Sequence, residues 1–328
     1  MKVVILAGGT GERLLPLTAT CPKPILPIIN KPALVHTILH LKRLGFTEFI
    51  LQIHYLNDMI QEILKDGEEL GVSIQYIVEK DRLGTAGCLS LSKPLLKETF
   101  LIVSGDLIFD CNLNDAIEKH IQLESLLTIC TVDQNDCESF GNVFCKNEKV
   151  IKFIEKPSKK EKLSSKINTG IYIVDPSLIE MIPDGVEIDF SKQLIPLLLS
   201  LEIPIQNFNL TGYWIDFGTP ERYVELLVDW ISGRIRLPLH VTEVLPNIYI
   251  GVEVKISNSV KLIPPIIIGD HVTIEENCVI GPYAFISSDM KVKKDTHISN
   301  HIIINHFTLK IEDHLNRING KKLVKDLI

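Results

Sequence analysis

The sequence predicts an α/β protein in two parts, a mostly parallel sheet flanked by helices and then a short β-solenoid. Two observations predict this fold class. Over the first two thirds of the 328 residues, short β-branched runs alternate with segments of helical periodicity, and such alternation requires crossover connections between parallel strands. After Gly233 the periodicity changes to one aliphatic residue in every six positions, which is typical of stacked coils.

The elements of the first part follow one another in a Rossmann-like order. Strands are predicted at 2–6, 48–53, 72–78, 99–105 and 205–210, helices at 31–45, 56–70, 86–93, 190–200 and 219–233, and a mixed β region at 126–174. The last helix opens with Thr219 and Pro220, a capping residue and the residue favoured at the first helical position. Such a sheet binds ligands beyond the carboxyl ends of its strands, where the segments LAGG (6–9) and SGD (104–106) fall.

The solenoid is predicted from consecutive six-residue units that start at Asn247. Their fourth places hold Ile250, Ile256, Leu262, Ile268, Ile274, Ile280, Ile286, Val292, Ile298 and Ile304. Every one is a branched aliphatic residue, so an irregular β region with chance periodicity is a poor alternative. The pattern resembles the left-handed parallel β-helix built from hexapeptide repeats, in which each short strand turns a corner after its buried residue. It predicts a β-helix over about 244–306.

The overall charge and composition exclude several functions. A net charge of −7 and a pI of about 5.8 argue against a nucleic-acid-binding protein. No apolar run is long enough to span a bilayer, and the first residues lack the flanks of a signal peptide. The 7 cysteines are odd in number and form no CxxC pair. We therefore expect a cytoplasmic protein with reduced thiols and with no nucleic-acid or membrane partner.

The segment LAGGTGERLLPLTATCPKP (6–24) carries the first candidate binding site. A glycine-rich loop after a strand commonly binds phosphate through converging backbone N–H groups. The dinucleotide pattern GxGxxG is excluded because Leu14 replaces its last glycine, and the P-loop pattern is excluded because no Gly-Lys pair follows. What remains is a bend of three glycines, followed by Arg13 and by Lys23, whose backbone is restricted by a proline on each side.

This segment resembles the signature of the sugar-1-phosphate nucleotidylyltransferases. The resemblance implies that a sugar 1-phosphate attacks the α-phosphorus of a nucleoside triphosphate (NTP) and that pyrophosphate leaves. It also implies that the glycine loop contacts the nucleotide, that the arginine holds the pyrophosphate and that the lysine contacts the reacting phosphates. The matching positions are Leu6, Ala7, Gly8, Gly9, Gly11, Arg13 and Lys23.

Three further segments carry the same resemblance, in the same order along the chain. EKDRLGTAG (79–87) is similar to the family's ExxPLGTAG, although Arg82 replaces the proline, and IEKP (154–157) and NTGIYIV (168–174) are similar to its sugar-phosphate segments. The implied nucleotide contacts are Glu79, Gly84 and Thr85, and the implied sugar-phosphate contacts are Gly141, Glu155, Lys156 and Asn168. From the residues alone, Thr85 equally suits a helix cap, and Glu155 with Lys156 suits a surface ion pair.

Two aspartates are the candidate metal ligands. Asp106 follows a buried strand, and Asp216 follows an aromatic strand just before a helix start. Two carboxylates at strand ends commonly hold Mg²⁺ together with substrate phosphates, and the resemblance implies that these two do so. Either acid alone would more often form a turn or cap a helix, and Asp110 and Asp189 are interpreted as solvated turn residues.

Arg13, Lys23, Asp106 and Asp216 form the predicted catalytic set. The attacking phosphate is already ionised at neutral pH, so the reaction needs no general base. Catalysis is expected to depend on positioning and on neutralisation of the phosphate charges. The pairs of histidine with serine or aspartate that general-base catalysis would use are accordingly absent near these motifs.

The resemblance is closest to the mannose-1-phosphate guanylyltransferases, so GTP and mannose 1-phosphate are the predicted substrates. Glucose-1-phosphate adenylyl-, thymidylyl- and uridylyltransferases and heptose-1-phosphate guanylyltransferases share these motifs and stay open as alternatives. The alternative of another class is a non-catalytic subunit that senses sugar nucleotides. It is disfavoured because such subunits tend to lose the basic and acidic residues that are complete here.

The predicted organisation is a catalytic domain at 1–233, a linker at 234–246, the β-helix at 247–306 and a tail at 307–328. The repeats contain His271, His297, His301 and His306, but the coils are few and no long loop interrupts them, so a second, acetyltransferase activity is not expected. Open solenoid ends and flat faces favour self-association. We therefore expect a homo-oligomer formed through the β-helix. The tail residues Phe307, Leu309, Leu315, Leu323 and Val324 are candidates to cap its open end.

Overall fold

A computed structural model of the chain describes residues 1–19, 21–54, 56–158, 161, 164–237, 241–304 and 307–311. His306 and the tail residues Leu315, Leu323 and Val324 lie outside this range, as do residues 238–240 of the predicted linker. The chain divides into two compact units. Unit 1 contains residues 1–10 and 37–216, and unit 2 contains residues 11–36 and the chain from 217 onward.

Strands and helices alternate over the first 231 residues. The strands are β1 (Val3–Leu6), β2 (Pro27–Ile28), β3 (Lys31–Pro32), β4 (Glu48–Ile53), β5 (Ser73–Val78), β6 (Phe100–Ser104), β7 (Leu107–Phe109), β8 (Leu127–Asp133), β9 (Gly141–Lys146), β10 (Lys149–Glu155), β11 (Lys166–Val174), β12 (Ile205–Asn209) and β13 (Trp214–Asp216). The helices are α1 (Ala33–Arg43), α2 (Asn57–Leu64), α3 (Gly84–Gly87), α4 (Asn114–Gln122), α5 (Pro176–Glu180), α6 (Ile195–Ser200) and α7 (Pro220–Ile231). No helix within the described ranges is long and apolar enough to cross a membrane.

Unit 1 is built on a mixed sheet with the strand order β5-β4-β1-β6-β11-β8-β12-β10-β9. The first four strands in this order are mutually parallel, as the β-branched runs predict, and β11 pairs antiparallel to both of its neighbours β6 and β8. The chain runs from β1 outward to β4 and β5 and then returns to the other side of β1 as β6. The carboxyl ends of β1 and β6 therefore flank a point where the strand order reverses, which is where such sheets bind ligands.

Several predicted helices are shorter than their sequence patterns indicate. The segment predicted as a helix over 56–70 ends at Leu64 and resumes only as a 3₁₀ turn at Glu68–Leu70, because Lys65 and Gly67 adopt left-handed φ angles of 49° and 84°. The helix predicted near 190–200 begins as a π-helical turn, Phe190–Leu194, and continues as α6. Helix α7 agrees with prediction, since the Thr219 side chain accepts a hydrogen bond from the Arg222 N–H and Pro220 occupies the first turn.

Unit 2 contains a coil of short strands. They are β14 (Thr242–Leu245), β15 (Ile248–Ile250), β16 (Lys255–Ile256), β17 (Lys261–Leu262), β18 (Ile266–Ile268), β19 (Thr273–Ile274), β20 (Val279–Ile280), β21 (Ala284–Ile286), β22 (Lys291–Val292), β23 (His297–Ile298), β24 (His301–Ile304) and β25 (Phe307–Lys310). Strand β15 pairs parallel with β18, and β18 with β21, so that Ile250 lies opposite Ile268 and Ile268 opposite Ile286. Strands β16, β19 and β22 form a second parallel sheet, and β17, β20 and β23 a third. The coil therefore has three sides, and most of its predicted fourth-place residues form one apolar core.

The last six-residue repeat of the coil departs from the pattern. Ile286 lies opposite Ile303, not Ile304. The six-residue pattern predicts the next turn residue with positive φ at position 301, but the structure has it at Asn300, one residue earlier. The prediction that Ile304 occupies a fourth place is therefore wrong: Ile304 pairs antiparallel with Phe307 of β25. Strand β14 likewise pairs antiparallel with β15, so an antiparallel strand closes each end of this sheet.

Candidate active site

The LAGG and SGD segments meet at the carboxyl ends of β1 and β6. The Gly105 N–H donates a hydrogen bond of 2.9 Å to the carbonyl oxygen of Leu6. A Cβ at position 105 would lie 2.9 Å from that oxygen and 3.2 Å from the Ala7 side chain, so only glycine allows the two backbones this approach. The structure thus places Leu6 and Ala7 directly beside the turn that carries Asp106.

The two predicted metal ligands are neighbours. Strand β7 begins directly after Asp106 and pairs antiparallel with β13, and Asp216 lies opposite Leu107. Opposed residues in an antiparallel pair have Cα atoms about 4.5–5.5 Å apart, so Asp216 and Asp106 are within one residue of direct opposition. The Ser104 hydroxyl donates a hydrogen bond of 2.6 Å to Asp106 Oδ1, which orients that carboxylate.

A buried carboxylate, that of Glu79, lies beside Gly8, the first glycine of the loop. Glu79 is 8% exposed, and its Oε2 accepts a hydrogen bond of 3.2 Å from the Leu83 N–H. Burial raises the pKa of Glu79 above its ordinary value. A Cβ at Gly8 would lie 3.3 Å from Glu79 Oε1 and 3.4 Å from the Cβ of His54, whereas a Cβ at Gly9 would meet no atom within 4 Å. His54, which the sequence analysis did not single out, therefore lies beside Gly8 together with Glu79.

The LGTAG loop is held against the segment 186–190. The carbonyl oxygen of Ile188 accepts hydrogen bonds of 2.8 and 2.9 Å from the N–H groups of Ala86 and Gly87. A Cβ at Gly84 would lie 2.6 Å from this oxygen, and a Cβ at Gly87 would lie 2.2 Å from the Val186 carbonyl oxygen. Both glycines are thus required by the packing of the protein itself, independently of any ligand.

Thr85 does not cap a helix, because the capping position of α3 is Leu83, with no side-chain hydrogen bond. Its hydroxyl instead donates a hydrogen bond of 3.0 Å to Asp189 Oδ2 and accepts one of 2.9 Å from the Phe190 N–H. The other Asp189 oxygen accepts from the N–H groups of Ser191 and Lys192, at 2.9 and 3.0 Å. The interpretation of Asp189 as a solvated turn residue is therefore wrong, and the sequence missed a residue that locks the predicted nucleotide loop. Asp110 is solvent-exposed, as expected, but it also has a distant partner, because its Oδ1 accepts a hydrogen bond of 2.6 Å from the Tyr213 N–H.

The predicted sugar-phosphate residues form a connected polar group. Gly141 lies opposite Glu155 in the β9–β10 pair, and a Cβ there would lie 2.8 Å from Glu155 Oε2. Burial raises the pKa of Glu155, and a hydrogen bond from Ser191 opposes that effect. Asn168 donates to the Tyr172 hydroxyl at 2.7 Å and to Ser191 at 3.3 Å. Ser191 and Tyr172 are thus further members of this group: Tyr172 lies within the NTGIYIV segment but was not singled out, and Ser191 lies in none of the motifs.

Lys156 forms the ion pair that its position beside Glu155 suggested. Its Nζ lies 3.8 Å from Glu155 Oε1, with 57% of the lysine side chain exposed. Its backbone has a φ of +48°, a left-handed conformation that is uncommon for a residue with a side chain. An exposed ion pair of this kind contributes little to stability, so the ammonium group is available for another partner.

The basic residues Arg13 and Lys23 lie in unit 2. Gly11 has a φ of +68° and precedes the short 3₁₀ helix Glu12–Leu14, on which Arg13 is exposed. A Cβ at Gly11 would lie 2.9 Å from Thr18 and 3.2 Å from the Cβ of Lys23, so glycine permits this tight fold of the loop. Lys23 is only 6% exposed, and its Nζ lies 5.1 Å from the centroid of the Phe217 ring. The lysine is therefore held by its surroundings, as the flanking prolines predict.

Comparison with known proteins identifies the family. Residues 2–232 match the family model described as nucleotidyl transferase. The chain is 32% identical to a UTP–glucose-1-phosphate uridylyltransferase of Synechocystis over 94% of this chain and 84% of that protein, and 32% identical to a probable mannose-1-phosphate guanylyltransferase 3 of Oryza sativa over 94% and 87%. A crystal structure of HddC from Yersinia pseudotuberculosis complexed with GMP-PN superimposes with a TM-score of 0.61 and 27% identity, covering 70% of this chain and 99% of that one. The chain therefore belongs to the nucleotidyl transferase family, among the sugar-1-phosphate nucleotidylyltransferases.

Proposed function

We propose that the protein is a mannose-1-phosphate guanylyltransferase, which makes GDP-mannose and pyrophosphate from GTP and mannose 1-phosphate. The observation that carries the choice of base is the buried Glu79 carboxylate beside Gly8. Guanine presents two adjacent N–H donors on one edge, and a carboxylate accepts both. Uracil and thymine present one N–H between two carbonyl oxygens, which a carboxylate repels. The GMP-PN complex of HddC and the rice relative are consistent with this preference.

Asp106 and Asp216 are the proposed ligands of Mg²⁺. Members of this family generally use a divalent metal. No group of three or more His, Cys, Asp or Glu side chains suited to a metal ion occurs in the described part of the chain, so two carboxylates would share the ion with phosphate and water oxygens, which suits Mg²⁺. When bound, the ion would neutralise phosphate charge and orient the triphosphate. The aspartates would set its position, with Ser104 orienting Asp106.

The basic residues act on the phosphate groups in this proposal. The planar guanidinium of Arg13 suits two oxygens of the departing pyrophosphate, Lys23 neutralises the α-phosphate, and Lys156 binds the phosphate of the sugar. Leu6, Ala7, Gly8, Gly9, Gly11, Glu79, Gly84 and Thr85 form the nucleotide-binding set, and Gly141, Glu155 and Asn168 bind the sugar. No proton has to be removed from the nucleophile, so the rate depends on positioning and electrostatics.

Pyrophosphate release tests the proposal. The purified protein is incubated with Mg²⁺, each of GTP, ATP, UTP and dTTP, and a panel of hexose and heptose 1-phosphates. We expect the highest kcat/KM with GTP and mannose 1-phosphate. Highest activity with UTP and glucose 1-phosphate would support the activity named for the Synechocystis relative and refute the assignment of the base. Silence across the panel would favour a non-catalytic sensor of sugar nucleotides.

Lys23→Ala and Asp106→Ala test the catalytic set in the same assay. Removing one positioned charge from a phosphoryl-transfer site costs on the order of 3–4 kcal/mol, so each variant should lose at least about a hundredfold in kcat. Circular dichroism and thermal melting should show that both fold. Turnover close to that of the unsubstituted protein in either variant would remove that residue from the catalytic set.

Other features remain part of the proposal. These are the cytoplasmic location, the left-handed sense of the coil and the boundaries 1–233, 234–246, 247–306 and 307–328. Assembly through the coil is also proposed, but the sheet that contains β15, β18 and β21 is a poor surface for it. Its outward residues Ile267 and Phe285 are only 1% and 3% exposed, so the other two sheets are the candidate surfaces.

A further inference from the structure

We infer that the solenoid holds in place the hairpin that follows Lys23, and that Asp270 is the positioning residue through which it does so. The inference rests on the proposed function, since it assigns Lys23 to the reacting phosphates. It gives the C-terminal coil a part in positioning a catalytic residue, in addition to any part in assembly.

Lys23 leads directly into the hairpin. It begins the short 3₁₀ helix Lys23–Ile25, and the Leu26 N–H donates back to its carbonyl oxygen at 3.1 Å. Strands β2 and β3 then pair antiparallel, with Pro27 opposite Pro32 and Ile28 opposite Lys31. Ile29 and Asn30 form the tip, where Ile29 has a φ of +65°. A shift of this tip would be transmitted to Lys23 through very few residues.

Asp270 binds the tip of the hairpin. The Asn30 amide nitrogen donates to both carboxylate oxygens of Asp270, at 3.3 and 3.2 Å. The Val252 N–H, from the preceding coil, donates to Asp270 Oδ1 at 2.9 Å, and so fixes the direction of the carboxylate. Asn30 Oδ1 is buried and has no hydrogen-bond partner among the described residues. The bond to Asp270 is therefore the contact that compensates for the burial of this amide.

Apolar contacts support the same attachment. Pro27 and Ile29 of the hairpin line one groove together with Ile267 and Phe285 of the solenoid. Helix α7 also takes part, since the Tyr223 hydroxyl donates to the Pro27 carbonyl oxygen. These contacts hold the hairpin to the coil, and the polar pair at its tip selects one position for it, because a hydrogen bond is far more directional than apolar packing.

Exchanging the two side chains of the pair tests the inference. Asn30→Asp alone places two carboxylates in contact and should lower kcat at least about tenfold, since small misplacement of a catalytic group is costly. Adding Asp270→Asn restores the pair with its polarity reversed, since the new amide nitrogen at 270 can donate to the new carboxylate at 30. The amide oxygen at 270 can still accept from the Val252 N–H. The double variant should return kcat to within about threefold of the unsubstituted protein, with KM for the sugar phosphate little changed in all variants.

A second pair in the solenoid provides the matched control. Asn277 donates to Asp295 at 3.1 Å between exposed positions of neighbouring coils, which is the same chemistry away from the hairpin. Asn277→Asp should leave kcat unchanged. Unchanged kcat in Asn30→Asp would overturn the inference, as would a double variant no faster than the single one, or an equal loss in the control.

Hydrogen exchange separates this inference from the assignment of the reaction. The Leu26 N–H donates to the Lys23 carbonyl oxygen, and the Ala33 N–H donates to the Leu26 carbonyl oxygen. These two amide protons should exchange at least about tenfold faster in Asp270→Ala than in Asp295→Ala. This measurement needs no substrate. If the unsubstituted protein is silent toward every sugar phosphate but this difference is found, the proposed function fails and the positional coupling stands. Equal exchange in the two variants would refute the coupling even if the enzyme is active.

Discussion

The glycines of the predicted binding loops are required for different reasons. Gly84, Gly87 and Gly141 are needed by the protein's own packing, since a Cβ at each would lie within 2.8 Å of another atom of the chain. Gly9 is different, because a Cβ there would meet nothing within 4 Å. The absence of a side chain at Gly9 therefore has no structural cause in the described residues, and the proposed nucleotide supplies one.

Gly9→Ala is expected to fold normally and to bind the nucleotide poorly. The added methyl group has room in the free protein but would occupy space that the proposed function gives to GTP, so KM for GTP should rise at least about tenfold. Thermal melting without ligand should stay within about 2 °C of the unsubstituted protein. Gly84→Ala is the control: its Cβ would lie 2.6 Å from the Ile188 oxygen, so its melting temperature should fall. Unchanged KM in Gly9→Ala would refute the contact.

At the scale of residues, the motifs supplied the residues of the candidate site, but not the side chains that hold its loops in place. The motifs carry the positions of Asp106 and Asp216, and the structure places Asp216 on β13 and Asp106 directly before β7, the strand that pairs with β13. Asp189 was missed because its partner Thr85 is 104 positions away. A lone aspartate before a helical segment has the same local pattern whether it faces solvent or another loop, so only the tertiary structure distinguishes the two cases.

At the scale of elements, one side of the solenoid is buried on both faces. Tyr249, Ile267 and Phe285 occupy the middle of their strands in register and lie outside the apolar core of the coil. The ring of Trp230 in α7 lies 4.8 Å from that of Tyr249, and Tyr223 and Leu227 of α7 line a groove with Ile267 and Phe285. The helix therefore covers this stripe of outward-facing residues.

The sequence contained this signal, although only the fourth places of the repeats were used to predict the fold. Among the third places, Tyr249, Ile267, Phe285 and Ile303 are apolar at intervals of three repeats. The places between them hold polar residues, with Val279 as the exception. A period of three units within a period of six residues indicates one apolar side of a three-sided coil. The shortened last turn at Asn300 could not be predicted in this way, since one missing residue leaves no trace in composition.

Phe285→Ala is expected to destabilise the protein as strongly as a substitution in a core. Phe285 is 3% exposed, and removing a buried phenylalanine side chain costs about 3–5 kcal/mol. Val252→Ala is the control, because Val252 is 52% exposed and its loss should change stability by less than about 0.5 kcal/mol. Urea unfolding measures both. A similar small effect in both variants would show that α7 does not stabilise this side of the coil.

At the scale of the whole molecule, both units contain a buried histidine with a lowered pKa among their described residues. Burial lowers the pKa of His120 in unit 1 and of His36 in unit 2 from 6.5 to about 4. The unfolded chain takes up these protons first as the pH falls, so the stability that depends on the neutral forms is complete above about 6.5 and is lost toward pH 4. For His36 the loss is on the order of 3 kcal/mol.

The melting temperature should therefore fall between pH 6.5 and pH 4 by more than the carboxylates alone explain. Calorimetry across this range on His120→Gln and His36→Gln should give flatter profiles, because glutamine does not titrate. His297→Gln, at an exposed position of the coil, should keep the profile of the unsubstituted protein. Parallel profiles for all four proteins would contradict the prediction.

The antiparallel strands β14 and β25 have a consequence for how the coil of this chain could change in length. Each of these two strands ends the parallel ladder of the sheet that contains β15, β18, β21 and β24. A further repeat could therefore be added at either end of this sheet only by displacing β14 or β25. Additional repeats would have to be inserted between existing ones. Since Ile248 pairs with Ile266 and Ile266 with Ala284, only an insertion of one whole circuit would keep the face that meets α7 on the side of α7; a single hexapeptide would rotate everything downstream onto the wrong side.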